Sequence, residues 1–132
     1  MGKPSDRPPP EVVVQGLHGS VIYARLPDGT SPSREFFNSL SIGERTKFLS
    51  IFSSLLNNAT LRHNNRQQFR QVEGELFEFK RNDLQMRIFA FRAGKVWYLI
   101  RGLSRKKEDA LPPGEVKRAL RDLASAKQYL GL

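Results

Sequence analysis

Three aromatic-rich runs of strand-like period, residues 75–81, 85–92 and 95–102, follow one another with only short breaks at Asn82-Asp83 and Ala93-Gly94. Parallel strands need a crossover of about a dozen residues or more, whereas an antiparallel pair closes through two. Breaks this short therefore predict an antiparallel meander. If Ala93-Gly94 is a two-residue loop, Arg92 faces Lys95, Arg87 faces Ile100 and Met86 faces Arg101. Arg87 and Arg101 then project from opposite faces, a statement that a bulge or a three-residue loop would reverse.

The rest of the chain is read around this sheet. Residues 1–10 carry Pro4, Pro8, Pro9 and Pro10 and no apolar period, which predicts a disordered or polyproline-like arm ahead of a single domain over 11–132. Val12-Val13-Val14 and Val21-Ile22-Tyr23 are β-rich, with His18-Gly19 as a turn between them. Pro32 after Ser31 suits the first turn of a short helix bearing Phe36, Phe37 and Leu40. Ser41 and Glu44 then have the spacing of a capping box, and Phe48, Leu49, Phe52, Leu55, Leu56 and Ala59 share one face of a second helix. Beyond the break at Pro112-Pro113-Gly114, Val116, Ala119, Leu120, Leu123, Ala124 and Leu130 mark an amphipathic final helix. The fold class is α+β, in the coarse order β-α-α-β-β-β-α, with an N-terminal strand and a helical hairpin packed on a curved antiparallel sheet.

Twenty-two Lys and Arg against 13 Asp and Glu give a net charge of +9 over 132 residues. Residues 80–107 hold nine cations, Lys80, Arg81, Arg87, Arg92, Lys95, Arg101, Arg105, Lys106 and Lys107, against the single anion Asp83, so +8 is concentrated there. Such a segment points to a polyanion, nucleic acid first, with phosphates as the contacts. The alternative is a set of solvated strand faces whose charges protect sheet edges. Most of the aromatics between the cations, Phe77, Phe79, Phe89, Phe91, Trp97 and Tyr98, are expected in the core. The absence of cysteine excludes a disulfide scaffold, a thiolate metal site and a cysteine nucleophile. His18 and His63 have no acidic cluster beside them, and neither a phosphate-binding Gly-rich loop nor a dinucleotide fingerprint occurs. No metal and no cofactor are expected. No run approaches the roughly 18 apolar residues of a membrane span, and the N-terminus lacks the apolar core of a signal peptide. A cytoplasmic protein without membrane contact is the expectation.

Two stretches carry a family resemblance. VIYARLPDGTSPSREFFNSL resembles the first strand and helix of the HigB-like branch of the RelE/ParE toxin superfamily, through Asp28, Gly29, Ser31, Pro32, Phe36 and Leu40, with one residue fewer between Asp28 and Gly29. LFEFKRNDLQMRIFAFRAGKVWYLIRGLSRKKEDALPPGEVKRAL is similar to that family's Leu-aromatic-Glu-apolar-basic strand, its Arg-led central strand and its basic pair before a Pro and a helix. Together they cover about residues 20–120. The resemblance implies a RelE-like fold and, for most characterised branches, a toxin of a type II toxin-antitoxin system that cleaves messenger RNA on the ribosome. A cognate antitoxin, expected as a helix-turn-helix protein, is the implied partner.

Carried over residue by residue, the resemblance implies that Lys80 is the basic position ending a strand, Arg87 the central-strand Arg, and Arg105 with Lys106 the pair after the last strand. Glu78 matches the strand's acidic position. Arg81, Arg92, Lys95, Arg101 and Lys107 are expected to bind RNA. No Tyr stands near Pro112, where RelE-like nucleases often carry a catalytic one, and the His-containing C-terminal end of other branches is missing. The implied chemistry needs no metal: the RNA 2′-hydroxyl attacks its own adjacent phosphate while cations stabilise the phosphorane. Arg87 suits that stabilising task unless it is a sheet-surface partner of Glu75 or Glu78. Lys80 orients the phosphate or acts as base, with Glu78 and His63 as alternative bases. His63 lies in the Asn-rich link from Asn57 to Arg70 and also reads as a solvated loop residue. A ParE-like inhibitor of DNA gyrase shares the implied fold. A double-stranded RNA-binding module over residues 67–130 is a further rival, although Pro112-Pro113 separates Lys106 and Lys107 from the last helix.

Overall fold

The computed structural model describes residues 11–57, 69–104 and 113–132. The proline-rich arm, His63, Arg105, Lys106 and Lys107 lie outside the described residues. The elements are β1 (Val12–Gly16), β2 (Gly19–Tyr23), α1 (Pro32–Asn38), α2 (Ile42–Asn57), β3 (Phe69–Glu73), β4 (Leu76–Arg81), β5 (Met86–Ala93), β6 (Val96–Ser104) and α3 (Pro113–Leu130). The class is α+β, with one six-stranded sheet in the order β1-β2-β6-β5-β4-β3.

The meander β4-β5-β6 is antiparallel throughout, as its short breaks require. β1 and β2 form an antiparallel hairpin, so both N-terminal valine-rich runs are strands. Beyond this second N-terminal strand, where the expected order had one, two features depart from the sequence reading. β2 pairs with β6 in parallel, which α1 and α2 make possible by carrying the chain from one edge of the sheet to the other. β3 pairs antiparallel with β4, adding a strand just before Gly74. The order is thus β-β-α-α-β-β-β-β-α, in a mixed sheet.

Local chemistry explains the helices. The capping box closes reciprocally: the Ser41 amide donates to Glu44 Oε1 at 2.9 Å, and the Glu44 amide donates to Ser41 Oγ at 3.1 Å. Ser31 precedes Pro32 but does not cap α1 through its side chain; its hydroxyl donates to the carbonyl of Ala24 at 2.7 Å and ties the helix entry to the end of β2.

Both faces of the sheet are covered. On one, Phe37 of α1 and Phe48, Phe52 and Leu56 of α2 pack on Phe79, Ile88, Trp97 and Leu99. On the other, Ala119, Leu123 and Ala126 of α3 pack on Leu76, Phe89, Phe91 and Ile100. This explains why β5 reads as a nearly unbroken apolar run, since each alternating side chain meets a core. Gly102 lets α1 approach: a Cβ there would lie 2.1 Å from Cδ2 of Phe36.

Candidate functional site

The polar feature of the α3 face is built by strand register. Arg70 pairs with Glu78, Glu78 with Phe89 and Phe89 with Arg101, so these four residues form one row across β3, β4, β5 and β6. The next row holds Lys80, Arg87 and Leu103. Residues two apart on a strand share a face at about 6.8 Å, which places Arg70, Glu78, Lys80, Arg87 and Arg101 on the same side.

A bulge decides the position of Arg101. The turn falls on Gly94-Lys95 instead of Ala93-Gly94, with Gly94 at φ +64°. That change moves each cross-strand partner by two and leaves the faces as expected. The register then shifts between Phe89 and Ala90, where Ile100 is the additional residue on β6. Arg101 is thereby opposite Phe89, and Arg87 opposite Leu103. The expectation that Arg87 and Arg101 project from opposite faces is corrected, by the bulge that would reverse it.

At the centre lies a buried charge pair. Glu78 is 0% exposed and Arg87 is 3% exposed. Arg87 Nη1 donates to Glu78 Oε1 at 3.0 Å and to Oε2 at 3.3 Å. Arg70 Nε donates to Oε2 from the other side. One carboxylate thus anchors two guanidinium groups, and Arg87 is a buried ion-pair partner of Glu78, not of Glu75. Glu75 instead accepts from Lys127 of α3 at 2.9 Å. Arg101 Nη1 donates to Asp122 Oδ2 of α3 at 2.7 Å, while its buried Nε has no hydrogen-bond partner among the described residues. Lys80 is half-buried and makes no ion pair among the described residues. Among the described residues, four cations, Arg70, Lys80, Arg87 and Arg101, share this patch with two carboxylates, Glu78 and Asp122.

Arg81, Arg92 and Lys95, also expected to contact RNA, do not join it. Arg81 pairs in register with Met86 on the helical-hairpin side and chelates Asp83 at 3.0 and 3.1 Å. Lys47 of α2 reaches the same carboxylate at 2.6 Å. Hydrogen bonds from Arg81, and next from Lys47, hold the Asp83 carboxyl far below the usual carboxylate range. Arg92 pairs with Trp97, stands 6.0 Å from that ring centroid and donates to the Gly94 carbonyl at 2.7 Å. It lies five residues from Arg87 on β5, about 17 Å at the strand rise, and Lys95 sits in the adjoining turn. The single basic surface expected of residues 80–107 is corrected to that extent: alternation and strand length disperse Arg81, Arg92 and Lys95. Most of the interleaved aromatics are core, with Phe79, Phe89 and Phe91 fully buried and Phe77 and Tyr98 partly so.

Arg70 is the member of the patch that sequence reading missed, because it ends a polar stretch without strand alternation. Its signal was the pairing possible with Glu78 across Gly74. Tyr98 lies on the same face but stacks on Phe91 with centroids 5.1 Å apart, and burial pushes its phenol above the ordinary value. Among the described residues no group of three His, Asp or Glu is placed to hold a metal ion. None of the described helices is long and apolar enough to cross a membrane. No protein-family model matches the chain. No curated protein matches it.

Proposed function

We propose that this protein is the toxin of a type II toxin-antitoxin pair, a ribosome-dependent endoribonuclease that cuts messenger RNA without a metal. The observation that carries the reading is the juxtaposition of Lys80 and Arg87 as direct cross-strand partners on the α3 face, beside a carboxylate that fixes Arg87. In the proposed reaction the 2′-oxygen bonds to the adjacent phosphorus and the bond to the 5′-oxygen breaks. The hydroxyl proton passes to a base, and the departing oxygen takes up a proton. Lys80 contacts the phosphate, and Arg87, oriented from behind by Glu78, offsets the charge that develops on it. Glu78 positions and does not act as base here, since both of its oxygens already accept guanidinium N–H groups.

The burial of Arg87 favours a second reading, a RelE-fold protein that binds without cutting, either RNA or, in the ParE-like manner, DNA gyrase. Expression of the wild type and Lys80→Ala in cells separates the two. The proposal expects growth arrest with new transcript 5′ ends in the wild type and loss of both in Lys80→Ala. Arrest with intact transcripts and blocked supercoiling would overturn it in favour of gyrase.

A further inference from the structure

Most cations described on the sheet already face an opposite charge, and the one carboxylate of Glu78 serves two of them, Arg70 and Arg87. Of these two it is Arg70 that reaches solvent, with Lys80 in the adjoining row. The Arg70 side chain is 45% exposed while Glu78 is fully buried. Glu78 engages Arg70 through Nε alone, and the two terminal nitrogens of that guanidinium have no partner among the described residues. A guanidinium held by one edge presents its other donors in a fixed fork, the geometry that binds phosphate oxygens in pairs.

Topology adds to this. Among the described residues β3 is an edge strand, and none of the described strands covers the outer side of Arg70. Arg70 is directly opposite Glu78, and Lys80 is two residues further along β4, a diagonal relation of about 7–8 Å between backbones. Two long side chains at that separation can engage neighbouring phosphates of one strand. Resting on the reading of this face as an RNA site, we propose that Arg70 is a second phosphate-binding residue, preset by Glu78 to hold the backbone phosphate next to the one engaged by Lys80. The ligand class is single-stranded RNA, gripped through its phosphodiesters at the β3 edge.

The test uses a 2′-O-methyl RNA oligonucleotide, which cannot be cut by 2′-hydroxyl attack, and measures affinity against salt for the full chain. Wild type, Arg70→Ala, Lys80→Ala and Lys47→Ala are compared, the last lying on the opposite face as a charge control. For every phosphate of a single strand that a variant no longer engages, the slope of log affinity against log salt flattens by about 0.7. The affinity deficit of Arg70→Ala relative to wild type is therefore expected to be largest at low salt and to shrink about fivefold over a tenfold rise in salt. Lys47→Ala should follow the wild type. Arg70→Gln, which keeps a donor for Glu78 and removes the charge, carries the same expectation should Arg70→Ala fail to fold. An unchanged slope in the folded Arg70 variant, with a flattened one in Lys80→Ala, overturns the role of Arg70 and leaves the RNA face standing. Salt-insensitive binding by the wild type overturns both.

Discussion

Replacing Arg87 by Ala is expected to destabilise the protein more than it informs on catalysis. Glu78 is fully buried, and Arg87, itself 3% exposed, is its one buried partner among the described residues. Arg70, the other partner, is 45% exposed and attached by a single nitrogen. Removing one member of a buried pair leaves a charge without full compensation and costs about 3–5 kcal/mol. At about 4 °C per kcal/mol for a domain of this size, the melting temperature falls by about 12–20 °C. The paired replacement Glu78→Leu with Arg87→Met removes both charges and keeps apolar volume. It is expected near wild type or above it, because two well-packed apolar side chains often equal or exceed a buried ion pair. Arg70 then loses an anchor that costs little where water reaches it. Urea melts of the two single variants and the pair, analysed as a double-mutant cycle, provide the assay. A loss below about 1 kcal/mol in Arg87→Ala, or a double variant no more stable than either single one, would refute the picture of an interdependent buried pair.

Gly102→Ala should destabilise by about 1–3 kcal/mol, since its Cβ would fall 2.1 Å from the Phe36 ring; calorimetry on Gly102→Ala with and without Phe36→Leu checks this, and equal losses in both backgrounds would count against the contact. Asp83 governs a small acid-sensitive contribution. Its folded carboxyl lies well below its unfolded value of about 3.9, so the contribution is complete above that value and is lost as the pH falls through the folded one. Because the group is exposed to solvent, Asp83→Asn should cost no more than about 1 kcal/mol at neutral pH, and less at high salt; a salt-independent loss in denaturant melts would contradict a screened ion pair.

The parts of this fold that are legible in the sequence are those fixed by neighbours along the chain. The short breaks between the aromatic runs force β4, β5 and β6 together, and Ser41 with Glu44 marks the start of α2. What was not legible depends on distant partners. The parallel pairing of β2 with β6 joins residues such as Val21 and Trp97, and nothing local to either names the other. β3 is an edge strand with one buried residue, Phe69, so it lacks the alternation that identifies a strand. The bulge at Ile100 is set by packing on both faces, yet it alone brings Arg101 to the side of Arg87 and to Asp122. Glu78 illustrates the same point: among Leu76, Phe77 and Phe79 its charge predicts exposure, and only the guanidiniums of Arg70 and Arg87 make its burial tolerable. The carried-over set Arg87, Lys80 and Glu78 does converge, whereas Arg105, Lys106 and His63 fall outside the described residues.

The central claim, cleavage of translated messenger RNA by 2′-hydroxyl attack at the Lys80 and Arg87 face, is tested most directly by end-group analysis of a transcript translated in a reconstituted system. The expected products carry a 2′,3′-cyclic phosphate on one fragment and a 5′-hydroxyl on the other. They should form only on ribosomes and fall about 100- to 1000-fold in rate in Lys80→Ala if that cation acts on the charge developing at the phosphate. Intact transcripts with the wild type, or fragments bearing 5′-phosphates, would contradict the account.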